Sequence, residues 1–114
     1  MIEYVKQEDH ITGSTYGGCT FNITVNGAAL DLSTATEIQI DYQGLANPRR
    51  FYQLTLTGGQ IEKVGTDVFR IKAQLISFVP DSYRGTIRIT YSGGTIFGKI
   101  KTDWQIIPNN SQNG

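Results

Sequence analysis

A chain of 114 residues with ten Lys and Arg against ten Asp and Glu has the length of one domain, and its zero formal charge removes the basic footprint of a nucleic-acid or anionic-membrane binder. With 39% hydrophobic and 18% charged residues it is too apolar for disorder, yet no apolar run approaches the ~20 residues of a membrane span. The single cysteine, Cys19, and single histidine, His10, exclude an internal disulfide, a cysteine-based zinc site and a histidine metal triad.

Isoleucine, threonine and valine number 14, 13 and 5, so 32 of the 114 residues are β-branched and suited to a pleated surface. Residues 1–12 form a short polar arm. Glu3, Lys6, Glu8 and Asp9 stand where a signal peptide needs an apolar stretch, so an intracellular origin is expected. His10 reads as a solvated loop residue. Gly13 to Gly18 is glycine-rich but lacks the lysine and the strand-to-helix setting of a phosphate-binding loop, and reads as a flexible or extended loop. Cys19 to Val25 alternates, with Phe21, Ile23 and Val25 on one face and Cys19 on the other phase, where it packs structurally. Asn26-Gly27 then supplies a type I′ hairpin signal.

Glu37 to Tyr42 alternates again, with Ile38, Ile40 and Tyr42 inward. Gln43 to Tyr52 is the longest non-alternating stretch. Leu45, Arg49, Arg50, Phe51 and Tyr52 in it have the composition of an interface anchor carried on a rigid frame; an ordinary solvated loop is the alternative. Two arginines are too weak a patch to bind a nucleic acid against zero net charge. Gly58-Gly59 marks a turn. Between Asp67 and Val79 two templates compete: Phe69, Ile71, Ala73 and Leu75 alternate as a strand, while Val68, Ile71, Leu75 and Phe78 fall at helical spacing. The β-biased residues favour the strand. Phe78-Val79-Pro80-Asp81-Ser82-Tyr83 resembles a Greek-key tyrosine corner, with Asp81 where glycine is usual; a plain proline stop is the alternative. Arg84 to Tyr91 follows with Ile87, Ile89 and Tyr91 on one face, then Gly93-Gly94. Ile96, Ile100, Trp104 and Ile106 line the last long strand, with Trp104 in the core. Pro108 to Gly114 has nothing of its own to bury.

These features predict one all-β domain over 1–114, an antiparallel immunoglobulin-like sandwich of seven to nine strands, with a jelly roll or small barrel as alternatives. Catalysis has little to work with. The only histidine, His10, stands in a polar N-terminal segment, the ten carboxylates are scattered singly, and a sandwich of this size has little room for a cleft. No enzyme activity, cofactor or metal is expected. Asn22 and Asn109 head glycosylation sequons that read as accidental in an intracellular chain.

The run Gly17-Gly18-Cys19-Thr20-Phe21-Asn22-Ile23-Thr24-Val25-Asn26-Gly27, followed by Leu30-Asp31-Leu32-Ser33-Thr34-Ala35-Thr36-Glu37-Ile38-Gln39-Ile40, resembles the immunoglobulin-like domains of tailed-bacteriophage virion proteins. Among these are the N-terminal domain of baseplate upper proteins and small auxiliary proteins of phages of gut bacteria. The resemblance spans about residues 13–107. Two departures stand out, the acidic N-terminal segment and the lack of a fibre or receptor-binding extension after the sandwich. It implies a phage structural protein, assembled in the bacterial cytoplasm and located in the virion. A capsid auxiliary or decoration role against the major capsid protein is the first expectation, with a baseplate or tail component as the second. Contacts would come from the 43–52 loop and from Asn109 and Asn110 in the tail, ordered against a neighbouring subunit. A carbohydrate- or host-surface-binding module, with Tyr16, Tyr52 or Phe97 stacking on sugars, is a third expectation.

Overall fold

The computed structural model describes residues 4–6, 10–25, 28–94 and 96–108. Among the described residues thirteen strands run in chain order: β1 (Tyr4–Lys6), β2 (His10–Ile11), β3 (Ser14–Tyr16), β4 (Cys19–Asn22), β5 (Thr24–Val25), β6 (Ala28–Ala29), β7 (Ala35–Gly44), β8 (Phe51–Thr55), β9 (Ile61–Lys63), β10 (Val68–Ile71), β11 (Gln74–Ile76), β12 (Asp81–Tyr91) and β13 (Ile96–Ile107). The count exceeds seven to nine because the N-terminal arm, the Cys19–Val25 stretch and the 67–79 stretch each break into short pieces.

The larger sheet has the order β1-β13-β12-β7-β8, and β2 also pairs with β13. Facing it is a three-stranded sheet of order β4-β10-β9. Taken in chain order, β4, β7, β8, β9, β10, β12 and β13 occupy the places of strands B, C, C′, D, E, F and G of an immunoglobulin-like sandwich. Alternation decides which side chains enter it. On β7 Ile38, Ile40 and Tyr42 point inward, and on β12 Tyr83, Ile87 and Ile89 do so, all 1% exposed or less. Phe21, Ile61, Phe69 and Ile71 close the core from the smaller sheet. Burying an aliphatic or aromatic side chain this completely contributes about 1.5–3 kcal/mol each, and such layers hold the sandwich together.

Gly85, on the inward phase of β12, marks a close approach in the core. A Cβ there would lie 2.7 Å from Thr102 Cγ2 and 2.9 Å from the Tyr42 ring, so only glycine lets the tyrosine lie flat on the strand. Gly59 (φ 86°) turns the chain from β8 into β9, and Gly94 (φ 86°) closes the β12–β13 hairpin, both matching the turn signals. Asn26-Gly27 lies outside the described residues; its flanking strands pair antiparallel, Val25 opposite Ala28.

The 67–79 segment is strand throughout its ordered pairing, and the helical alternative does not form. The proposed single face does not run through it, however. Phe69 and Ile71 are buried, whereas Leu75 is 63% exposed and Ile76 takes the inward position. The phase flips because the chain changes partners. Up to Ile71 it pairs with β4 and β9, and from Gln74 it pairs with β3.

His10 also departs from its expected place. It is buried, not solvated: β2 runs parallel to β13, with His10 opposite Ile106, and the ring is 8% exposed. Its centroid lies 5.1 Å from Tyr16 and 6.0 Å from Trp104, and Nε2–H donates to the Ser14 carbonyl at 3.1 Å. The polar arm concealed this position because the pairing that buries it is nearly the whole chain away in sequence. Trp104 is in the core as expected, 1% exposed, with Tyr16, Tyr42 and Phe78 at 4.8, 5.3 and 5.5 Å. Cys19 lies on the same inward phase of β4 as Phe21, not on the opposite polar one, because side chains two residues apart share a face; it is half-buried and packs on the core.

Candidate functional site

One end of the sandwich carries a short loop, residues 45–50, joining β7 to β8, and the step into β12 lies beside it. The step is a tyrosine corner. The hydroxyl of Tyr83, a residue 1% exposed, donates to the carbonyl of Val79 four residues upstream, and the N–H of Val79 donates to the hydroxyl of Tyr52 at 3.0 Å. Two tyrosines from different strands thus hold both backbone polar groups of one residue. Burial raises the Tyr83 hydroxyl above its ordinary pKa, and the neighbouring Tyr52 and Asp81 push it the same way, so it remains a donor at any physiological pH. Tyr52 also stacks on Phe78 at 4.0 Å and 6°.

Asp81, in place of the usual glycine, ties the corner to the loop. Its side chain is 3% exposed. It accepts N–H bonds from Ala46 (3.2 Å), Asn47 (3.3 Å) and Ser82 (2.7 Å). Arg50 Nη1 reaches its Oδ2 at 3.3 Å and the Pro80 carbonyl at 3.0 Å. Burial alone would raise this carboxyl; the amide bonds and the Arg50 charge outweigh it, and its pKa lies below the ordinary value of 3.8. Gly44 makes the approach possible, because a Cβ there would sit 2.5 Å from Asp81 Oδ2 and 2.7 Å from the Asn47 carbonyl. Backbone bonds from Gly44 to Arg50 and from Leu45 to Ser82, both 2.8 Å, complete the anchorage.

A loop so tied presents its remaining side chains without fraying. Leu45 is 58% exposed and Phe51 53%, and Arg49 is exposed between them. Arg50 and Tyr52 turn instead toward Asp81, Pro80, Phe78 and Val79, so of the five contact residues expected from sequence three face outward and two build the support. Asn109 and Asn110 lie outside the described residues. Of the sugar-stacking aromatics, Tyr16 is buried at 6% exposure and Tyr52 is committed to the corner; the Phe97 side chain lies outside what the structure describes.

Beneath the loop, the outward faces of β7, β12 and β13 form an open groove of about 490 Å³. Leu45, Pro48 and Phe51 wall one side; Asp41, Arg84, Arg88 and Lys101 line the floor. Sequence reading passed over these polar positions because an outward phase of Arg, Thr and Lys looks the same whether or not a loop overhangs it. Across the described residues, no three His, Cys, Asp or Glu side chains gather in a way that could hold a metal ion.

No protein-family model matches the chain, and no curated protein matches it. Among solved structures, the crystal structure of CopC from Methylosinus trichosporium OB3b is similar at a TM-score of 0.48 and 10% identity, with 91% of this chain and 88% of that one covered.

Proposed function

We propose that this chain is an adhesive structural subunit of a tailed-bacteriophage virion, an auxiliary protein of the capsid that holds neighbouring coat subunits and catalyses no reaction. The virion class is supported by the resemblance of residues 17–40 to immunoglobulin-like domains of phage structural proteins. The observation that carries the adhesive reading is the 45–50 loop with Phe51, the first residue of β8, beside it. It presents Leu45, Arg49 and Phe51 while Asp81, Arg50 and the two tyrosines hold its base. Exposed apolar anchors on a preorganised loop lose little conformational entropy on docking, which is how a small module contributes affinity. Strand-edge pairing along β8 would add to it.

The test is the protein content of purified particles from the phage whose genome encodes the chain. A stoichiometric, symmetry-related copy number by quantitative mass spectrometry is the expected result. Absence from heads and tails alike, together with hits for the isolated domain on a glycan array, would replace the reading with a host-surface-binding one.

A further inference from the structure

The outer edge of β13 is covered by the chain's own arm. β1 runs parallel to it with Tyr4 opposite Lys101 and Lys6 opposite Asp103, and β2 follows with His10 opposite Ile106 and Ile11 opposite Ile107. Parallel pairing is the weaker kind per residue. The polarity of β2 is also inverted, since His10 is buried while Ile11 is 45% exposed. His10 and Thr102 are the buried polar residues among those described. An imidazole returns to water at a lower cost than the isoleucines and aromatics at the other inward positions, so the arm is seated by a plug that withdraws readily.

Thr12-Gly13 is the hinge for that withdrawal. There the chain leaves the larger sheet, and from Ser14 it pairs with β11, Ser14 opposite Ile76, with the Gly13 N–H donating to the Ile76 carbonyl at 2.8 Å. Gly13 holds a φ of 81°, and no described atom lies within 4 Å of a Cβ placed on it, so the turn can open without a clash. Beyond the ladder on β13, the arm is held by groups on the body of the molecule. His10 Nε2–H donates to the Ser14 carbonyl at 3.1 Å, the Ser14 hydroxyl donates to the Ile11 carbonyl at 2.6 Å, and the His10 ring meets Tyr16 and Trp104. A second copy offers the same partners in the same places. Exchanging the arm is therefore close to neutral in contacts, and it covers Ile11, which stands beside the hinge where the two bodies meet.

We propose that β1 and β2 form an exchangeable arm, which in a pair of copies lies on β13 of the other copy with its His10 between that copy's Tyr16 and Trp104. Such exchange joins one copy to another and needs no particle, so it stands or falls separately from the virion reading.

The test uses the full chain with Cys19→Ser, which leaves no native thiol. Ile11→Cys and Ile107→Cys stand opposite each other in register, one strand spacing of about 4.8 Å apart and within reach of a disulfide. The two single-cysteine variants are mixed at about 1 mM, the order of concentration that a tethered neighbour presents, oxidised, and their linkages mapped by mass spectrometry. A heterodimer joined from 11 to 107 is expected at a yield at least about tenfold above that of Ile107→Cys mixed with Val64→Cys, an exposed position outside the arm. One chain carrying both cysteines should close an intrachain disulfide at about 0.01 mM and an interchain one at about 1 mM, as mass action requires. Gly13→Ala needs no cysteine and serves where those variants do not fold. Alanine is disfavoured at a left-handed φ, and opening the hinge relieves it, so sedimentation equilibrium should show a dimer association constant raised at least about fivefold. A heterodimer yield no higher than the control's, an intrachain disulfide at every concentration, or a Gly13→Ala chain no more dimeric than its parent would overturn the proposal.

Discussion

Tyr83→Phe isolates the corner, since it keeps a ring that is 1% exposed and deletes only the hydroxyl that donates to Val79. The lost bond is worth about 1 kcal/mol net, and the carbonyl left behind adds a desolvation cost, for a total of about 1–3 kcal/mol. Val79 itself is 43% exposed, so water relieves part of that cost and about 2 kcal/mol is the expected loss. At this chain length that corresponds to a fall in Tm of about 6–10 °C. Tyr52→Phe removes the acceptor for the Val79 N–H at 3.0 Å but keeps the Phe78 stack, and should cost about 1 kcal/mol. Because both hydroxyls act on the same residue, the double variant should depart from additivity by at least about 0.5 kcal/mol. Urea unfolding followed by far-ultraviolet circular dichroism and by Trp104 fluorescence reads all three, with an unchanged m value showing that stability alone has moved. A Tyr83→Phe loss below about 0.5 kcal/mol, or a larger loss for Tyr52→Phe, would refute the latch.

Three further outcomes follow from the same region. Gly44→Ala drives a Cβ into Asp81 Oδ2 and the Asn47 carbonyl, and should destabilise by about 1–3 kcal/mol, read as a lower urea midpoint. Asp81 has a folded pKa below its ordinary 3.8, so the folded chain binds fewer protons than the unfolded one at acid pH. Its contribution is therefore full above the unfolded pKa and is lost as pH falls through the folded one; Glu37, lowered where the Thr57 hydroxyl and the amides around it outweigh burial, acts in the same direction. Asp81→Asn should flatten the acid limb of a stability-versus-pH curve, and an unchanged slope would remove Asp81 from the explanation. Leu45→Ala and Phe51→Ala, both at exposed positions, should leave the Tm within about 2 °C of the parent, as surface changes within about 0.5 kcal/mol do; a larger drop would mean that these side chains support the fold.

Much of the fold was legible in the chain because its long strands alternate cleanly. Ile38, Ile40 and Tyr42, and Ile87 and Ile89, read directly as inward faces, and the run from Phe78 to Tyr83 offered the corner as one of two readings, which the Tyr83–Val79 hydrogen bond decides. The misplaced residues share a cause. Leu75 and His10 are each positioned by a strand distant in sequence, β3 for one and β13 for the other, and local periodicity carries no information about such partners. The candidate site was half legible for a related reason. Leu45, Arg49 and Phe51 are exposed, as their composition led one to expect, but Arg50 has the same composition and an inward task that only the presence of Asp81, 31 residues later, reveals. Lys101 and Arg88 gave no signal, since charge on the outward phase of a strand is the ordinary state of a wet sheet face.

The most direct measurement is rebinding of the purified chain to phage particles from which its gene has been deleted, comparing the parent with a Leu45→Ala, Arg49→Ala, Phe51→Ala triple variant of matched Tm. The predicted result is saturable binding by the parent and a loss of at least about tenfold for the variant, as expected when interface anchors are truncated. Particles that bind neither protein, or both equally, would contradict the claim that this loop is what holds the subunit in place.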